Sequence, residues 1–447
     1  MKKITEYLGK EFECQCGSTH QVSIKDIRIG KGILDQVPVL LENLTGYKKI
    51  YIICDTNTYQ AAGRELEKSL KVNGFLPEIV MLESPEDEKI HPDTDYLFEL
   101  LEGVDRDGYF VACGSGTIND LTRYASFKMG RPYTVVATAP SMDGYASPVS
   151  PITVKGVKRT FAAEPPEAIV ADISILQDAP REMIRSGLGD LLGKISSQLD
   201  WRLSHILFGE EYCPFIGEML IDELNILLDL NLELNSGQDK EKAIKVLTEG
   251  LIKSGLAMLM AETSRPASGT EHQVAHFLEM YGVMYKQEIT GHGINVGFGE
   301  YFASHYYLKL KDMDFSQFQV KDSRKQRERE IKENYKERAE FALGNLEISL
   351  SERRLEEKIL QEKEEEIKEL IEEYRPLLES VEEKLLQTGI LSKEYLDQIP
   401  EGWLMKALKH GLEIRTRFTV ADLLKQVGCL EQWVDEIGND FWRKINK

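Results

Sequence analysis

The apolar positions of this chain follow two periods, one in each half. In the first half they fall in short runs. QVSIKDIRIG (21–30) alternates apolar and polar residues and reads as one strand. KKIYIICD (48–55), EIVML (78–82), DGYFVACG (107–114), YTVVATAP (133–140) and EAIVADISIL (167–176) are nearly continuous runs rich in Val, Ile and aromatics. Such runs fit strands buried on both faces. Helical spacing fills 57–73, 93–104 and 117–129 between them. Strand–helix alternation predicts a parallel sheet covered by helices. Ligands of such sheets bind beyond the carboxyl ends of the strands, which points to Asp55, to Gly114–Asp120 and to Thr138–Ser147.

Past residue 180 the strand signals stop. Helical patterns cover 181–205, 215–230, 240–262, 270–285 and 292–310. From about 323 to 387 the chain is dominated by Glu, Lys and Arg, as in QEKEEEIKELIEEYR, with opposite charges three and four residues apart. This predicts exposed helices. Leu355, Ile359, Leu360, Ile367, Leu370 and Ile371 still form a partial apolar stripe, able to pack on the body or on a second subunit. Trp403 to Phe441 regains core-forming residues. The expected organisation is an α/β Rossmann-like domain over 1–180 and a helical domain over 181–447, the latter with a charged insertion at 323–387.

Charge narrows the range of partners. With 55 basic and 75 acidic residues the net charge is −20 and the pI near 5.0, which argues against nucleic acid as the main ligand. No apolar run approaches the ~20 residues of a membrane span. The opening MKKITEYLGKEFE lacks the apolar core of a signal peptide. The six cysteines (14, 16, 54, 113, 213 and 429) are few and mostly far apart, as in a cytoplasmic protein with reduced thiols. Cys14-x-Cys16 with His20 could hold a metal, but no fourth ligand is evident, and an exposed turn is the plainer expectation.

Of eight histidines, three are close together: His272 and His276 in EHQVAH, and His292 in GHG. A spacing of four places His272 and His276 on one helix face. Clustered imidazoles suit zinc, nickel or iron, although a pair of core histidines has the same spacing. In GLGDLLGK (187–194), Asp190 sits among apolar residues, where a charge needs a partner, a metal or a capping role. Asp190, His272 and His292 together would supply one carboxylate and two imidazoles. CGSGTIND (113–120) joins a predicted strand to a predicted helix, where backbone N–H groups can meet a diphosphate. It departs from the usual dinucleotide fingerprint, which follows the first strand and has its acid about 20 residues downstream. Asp55, upstream here, could meet the adenosine half of a cofactor or simply cap a helix. In TAPSMDGYASP (138–148), Thr138 and Ser141 could meet a nicotinamide or ribose. Asp143 could accept a substrate hydroxyl or form an Asx turn.

Together, GSGTIND, TAPSMDGYASP, GLGDLLGK, EHQVAH and GHG resemble the sn-glycerol-1-phosphate dehydrogenases, most closely the bacterial AraM-like branch. That family lies within the group of iron-type alcohol dehydrogenases, glycerol dehydrogenases and dehydroquinate synthases. The resemblance runs from about Ile24 to His305 and hardly touches the charged region. It implies a dehydroquinate synthase-like fold, in which an α/β NAD(P)-binding domain precedes an all-α metal domain. It implies cofactor contacts at Asp55, Gly114, Ser115, Gly116, Thr117, Ile118, Thr138, Ala139, Pro140, Ser141 and Ser147. It implies metal ligation by Asp190, His272 and His292, and substrate contacts from Asp143, Asp190 and His276. Asp190 and His276 would then be the catalytic pair, His276 facing substrate rather than metal. The implied cofactors are NAD(H) or NADP(H) and one nickel or zinc ion. The implied reaction is reduction of dihydroxyacetone phosphate to sn-glycerol 1-phosphate for glycerophospholipid-type synthesis, by a cytoplasmic homodimer. Rival expectations are a glycerol dehydrogenase acting on free dihydroxyacetone, and a metal-dependent hydrolase without a nucleotide. Lys155, Lys158, Arg159 and Lys194 are candidates for the substrate phosphate by position only.

Overall fold

The computed structural model describes residues 4–84, 90–105, 107–154, 157–230, 238–321 and 323–445. It divides into two compact units. The first comprises Met1–Gly187 with Leu234–Glu262, and the second Leu188–Glu233 with Thr263–Lys447.

The first unit holds ten strands among the described residues. They are β1 (Lys10–Glu13), β2 (Thr19–Val22), β3 (Asp26–Gly30), β4 (Lys49–Asp55), β5 (Leu76–Leu82), β6 (Tyr109–Gly114), β7 (Tyr133–Ala137), β8 (Val149–Val154), β9 (Val157–Ala162) and β10 (Ala168–Asp172). Six form a parallel sheet in the order β3-β10-β7-β6-β4-β5. β6, β7 and β10 are buried at every position, because helices cover both faces of the sheet. Ile50, Ile52, Val111, Val136 and Val170 are core residues of one face. QVSIKDIRIG is not one strand. It divides into the end of β2, which pairs antiparallel with β1, and β3, which pairs with β10. Apolar alternation specifies which side chains are inward but not which partner a strand takes, so one run can serve two sheets. β8 and β9 form a second hairpin that the periodicity does not announce.

The Gln238–Ala261 helix belongs with this first unit, although it falls in the half expected to be a separate helical domain. It packs on β2, on β3 and on the Gly144–Ala146 turn, all within the first unit.

The second unit is helical. Pro214–Leu228, Thr270–Tyr285 and His292–Lys311 match the expected segments to within two residues at each end, whereas the single helix expected over 181–205 divides at Gly193 into Arg181–Leu192 and Lys194–Phe208. The charged region forms helices Arg324–Tyr335, Ala339–Glu352, Glu357–Glu362 and Glu364–Gln387. Its apolar stripe is committed to the unit's own core: Leu355, Leu360, Ile367, Leu370 and Ile371 are each 2 % exposed or less. The Glu364–Gln387 helix packs against His292–Lys311 and Lys194–Phe208. No described helix is long and apolar enough to cross a membrane.

Candidate metal and cofactor sites

The second unit assembles the histidine cluster from three helices. The Thr270–Tyr285 helix presents His272 and His276 one turn apart, with ring centroids 5.8 Å from each other. His292 opens the next helix, and its ring lies 5.2 Å from His272 and 5.5 Å from His276. Asp190 comes from Arg181–Leu192. That helix approaches the start of His292–Lys311 so closely that a Cβ on Gly189 would sit 2.0 Å from the Gly293 carbonyl oxygen. Glycine at 189 therefore sets the distance between Asp190 and His292. Donor atoms of Asp190, His272 and His292 lie within 4.8 Å of one another.

Asp190 is fully buried and lies inside its helix, so the capping role is not the one it takes. Its Oδ1 accepts from Lys194 Nζ at 2.6 Å and lies 3.4 Å from His272 Nε2. Burial pushes its carboxyl up, but the Lys194 ammonium and the two imidazoles outweigh burial and hold it below the usual carboxylate range. Lys194 also donates to the Ala267 carbonyl at 2.9 Å. This buried ammonium serves Asp190 and is not positioned as a surface anion ligand. Lys155 and the side chain of Lys158 lie outside the described residues.

Two carboxylates without a part in the sequence reading hold the rings. His272 Nδ1 is 2.6 Å from Glu271 Oε1, and His292 Nδ1 is 2.6 Å from Glu279 Oε1. A carboxylate can only accept, so each Nδ1 carries the proton and each Nε2 is left as the ligating atom. Glu271 is buried; it also accepts from Gly269 N at 2.8 Å and Ser196 Oγ at 2.7 Å. Burial raises its pKa, and these donors with His272 bring it below the usual value. Glu279 Oε2 is 3.5 Å from His276 Nδ1. His276 keeps 22 % side-chain exposure. Burial pushes its imidazole down to about 3; Arg415 and His292 add to this and Glu279 opposes it. The ring is neutral at pH 7. Arg415, exposed at the edge of this cluster, acts electrostatically on His276 and Glu279 and was also absent from the sequence reading. Among 75 acidic residues, nothing in a linear pattern separates Glu271 and Glu279 from solvated helix surface. Only their contacts with the ring nitrogens in the folded unit mark them out.

The first unit gathers the other predicted residues at the carboxyl edge of its sheet. β4, β6 and β7 are neighbours, so Asp55, Gly114 and Thr138 follow adjacent strands. Thr138 N donates to the Gly114 carbonyl at 3.2 Å. Ser115 stands at the N-cap of Gly116–Met129 without using its side chain as a cap. Gly116, Thr117 and Ile118 form the first turn, whose N–H groups have no intrahelical acceptor. Asp55 takes the capping role: its Oδ1 accepts from Thr58 N at 2.8 Å in a capping box. Thr138, Ala139, Pro140 and Ser141 are buried, and Tyr145 OH donates to the Ala139 carbonyl at 2.7 Å. Ser147 is buried and accepts from Val149 N at 3.2 Å. Asp143 is half-buried and accepts from Ser254 Oγ at 2.8 Å. The wholly buried Arg123 braces this loop through Asp120 (2.7 Å) and the carbonyls of Val149 (2.8 Å) and Gly144.

A unit built on a parallel sheet with a glycine turn, in one chain with a helical unit carrying one carboxylate and two imidazoles, defines a class. A family model described as iron-containing alcohol dehydrogenase matches residues 28–180. The fold is similar to that of the iron-containing alcohol dehydrogenase of Corynebacterium glutamicum, at TM-score 0.61 and 13 % identity over 94 % of this chain and 96 % of that one. Within this class the sequence is closer to a narrower group. It is 36 % identical over 313 residues to glycerol-1-phosphate dehydrogenase [NAD(P)+] of Halalkalibacterium halodurans, covering 70 % of this chain and 78 % of the relative. The corresponding protein of Bacillus subtilis is 33 % identical over 315 residues, covering 70 % and 79 %. The chain belongs to the glycerol-1-phosphate dehydrogenase family.

Proposed function

We propose that this protein catalyses the reversible, metal-dependent reduction of dihydroxyacetone phosphate to sn-glycerol 1-phosphate. The ketone, NAD(P)H and one proton give the secondary alcohol and NAD(P)+. The observation that carries this reading is the convergence of Asp190, His272 and His292 within 4.8 Å in a chain of this family.

These three residues would hold one divalent ion. The fit rests on the donor set: an ionised carboxylate, and two imidazoles whose Nδ1 protons are taken by Glu271 and Glu279. Nickel and zinc both accept that set. When bound, the ion supplies Lewis-acid polarisation of the ketone oxygen and the nicotinamide supplies hydride. His276 is assigned to the proton. Its Nδ1 faces Glu279, which leaves Nε2 to accept the alcohol proton in the oxidative direction; in the reductive direction the ring first takes up a proton from water at Nε2 and passes it to the substrate oxygen. Arg415 is the cation we assign to the substrate phosphate, since a guanidinium offers several donors to phosphate oxygens.

In the first unit, backbone N–H groups of Ser115 to Ile118 are assigned to the cofactor diphosphate, with Gly114 and Gly116 allowing close approach. Thr138 to Ser141 and Ser147 are assigned to the nicotinamide half, and Asp143 to a substrate hydroxyl. Asp55, while its Oδ1 caps Thr58, is also assigned to the adenosine ribose, where a carboxylate disfavours a 2′-phosphate and so favours NADH over NADPH.

The test is an anaerobic NADH-oxidation assay of metal-stripped protein, with zinc, nickel or iron restored separately. Dihydroxyacetone phosphate is expected to be reduced, and free dihydroxyacetone far more slowly. Equal rates on both would support a glycerol dehydrogenase instead. Absence of NADH binding would sink both readings. Chiral analysis of the product is expected to give the sn-1 phosphate.

A further inference from the structure

The N-terminal hairpin carries a second group of metal-type donors, chemically unlike the first. β1 and β2 pair so that Phe12 faces His20 and Glu13 faces Thr19. The connecting turn is closed by Cys14 N donating to the Ser18 carbonyl and Gly17 N donating to the Cys14 carbonyl, both at 3.0 Å. Gly17 has φ +90°, a conformation that side-chain-bearing residues rarely adopt. It lets the chain double back immediately after Cys16. The sulfurs of Cys14 and Cys16 and a ring nitrogen of His20 consequently lie within 4.8 Å of one another.

His20 is the residue that distinguishes this turn from an exposed one. It is 5 % exposed. Its Nδ1 lies 2.8 Å from the carbonyl oxygen of Met260, in the last turn of the Gln238–Ala261 helix and in the same compact unit. A carbonyl only accepts, so Nδ1 carries the proton and Nε2 presents its lone pair. That lone pair faces Cys16 Sγ at 3.4 Å. Around a tetrahedral zinc ion, Zn–S and Zn–N bonds of about 2.3 and 2.05 Å place sulfur and nitrogen about 3.6 Å apart. The observed separation is close to that value before any ion is considered. A buried histidine with its far nitrogen fixed by a backbone carbonyl is also the usual arrangement of a metal-bound imidazole. None of the six cysteines is in a disulfide, as metal ligation by thiolates requires.

We propose that Cys14, Cys16 and His20 bind a thiophilic divalent cation, zinc or a metal of similar softness, at a site separate from Asp190, His272 and His292. Two thiolates and an imidazole fill three tetrahedral positions. Binding releases the two thiol protons, so no oxidant or reductant is involved. The ion ties the Cys14–Cys16 turn to His20 of β2, whose other nitrogen is already tied to the Gln238–Ala261 helix. Its role is structural: it holds the hairpin in place while the softer donors keep it apart from the metal held by oxygen and nitrogen. This proposal does not depend on the substrate assigned above.

The test is cobalt(II) substitution of the full-length protein, read by absorption and by metal analysis. Wild-type protein is expected to hold two ions per chain and to show a thiolate-to-cobalt charge-transfer band. His272→Ala is expected to hold one ion and keep the band. Cys14→Ser/Cys16→Ser is expected to hold one ion and lose it. Should the double variant fold poorly, labelling of wild-type thiols decides: Cys14 and Cys16 are expected to be protected by zinc and exposed by a chelator. A band absent from wild type, or equal labelling with and without zinc, would overturn the site.

Discussion

Replacing Glu279 by glutamine tests whether the carboxylates behind the histidines support the metal. Glu279 Oε1 is 2.6 Å from His292 Nδ1, and its other oxygen is 3.5 Å from His276 Nδ1. Glutamine keeps an acceptor oxygen and nearly the same shape, so His292 retains a partner and its orientation. What is lost is the charge. Hydrogen bonds to an ionised acceptor are about twice as strong as neutral ones, and a negative partner raises the basicity of the opposite ring nitrogen. Loss of such a partner weakens metal affinity by roughly 10- to 100-fold, about 1.4 to 2.7 kcal/mol. The lower part of that range is expected, because Glu279 keeps 17 % side-chain exposure and water screens part of its charge. Competition with a chromophoric chelator measures the dissociation constant directly. Glu288→Gln, on an exposed residue of the connecting segment, is the control for a general change in charge. An affinity for Glu279→Gln within twofold of wild type, while His292→Ala releases the metal, would refute the supporting role and leave Glu279 a surface residue.

Other expectations follow from the same geometry. His292→Ala should lose metal and turnover together, whereas His276→Asn should keep the metal and lose roughly 10²- to 10⁴-fold in kcat; metal analysis beside kinetics separates them, and retained turnover in His276→Asn would remove it from proton transfer. Arg415→Ala should raise KM for dihydroxyacetone phosphate and leave the slow reaction with free dihydroxyacetone unchanged; an equal effect on both substrates would remove Arg415 from phosphate recognition. Glu382 is held down to about 2, chiefly by His305 at 3.3 Å, against burial and with help from Lys444. A depressed carboxylate contributes stability that is present above its ordinary value of 4.5 and is lost as pH falls toward 2. Urea melts of Glu382→Gln should therefore show a deficit at pH 5.5 that shrinks by pH 3, and a deficit independent of pH would contradict the linkage. Light scattering is expected to give twice the 50.9 kDa chain mass, and a monomer mass would rule out the homodimer.

The division between legible and hidden features has a physical basis. The central strands could be read because both their faces are buried, which leaves apolar runs such as IYIIC in the sequence. The β8–β9 hairpin could not, since Val149–Val154 mixes exposed and buried positions and its pairing is a local choice. In the charged region, helix was predictable from the spacing of Glu and Lys. Only the packed unit decides that Ile367, Leu370 and Ile371 face its own core, because an apolar stripe specifies burial without naming the surface that buries it.

The same holds for chemistry. Local sequence determined the donors: two histidines four apart, one histidine between glycines, and one aspartate among apolar residues. The Cys14-x-Cys16 turn with its His20 is legible too, but the burial of His20 is not. Tertiary structure decided what each donor faces. It set Lys194 on Asp190, Glu271 behind His272, Glu279 behind His292 and the Met260 carbonyl behind His20. These partners lie 1 to 240 residues away in the chain. An imidazole's ligating nitrogen is set by the hydrogen bond its other nitrogen makes, and that bond exists only once the helices and hairpin have packed.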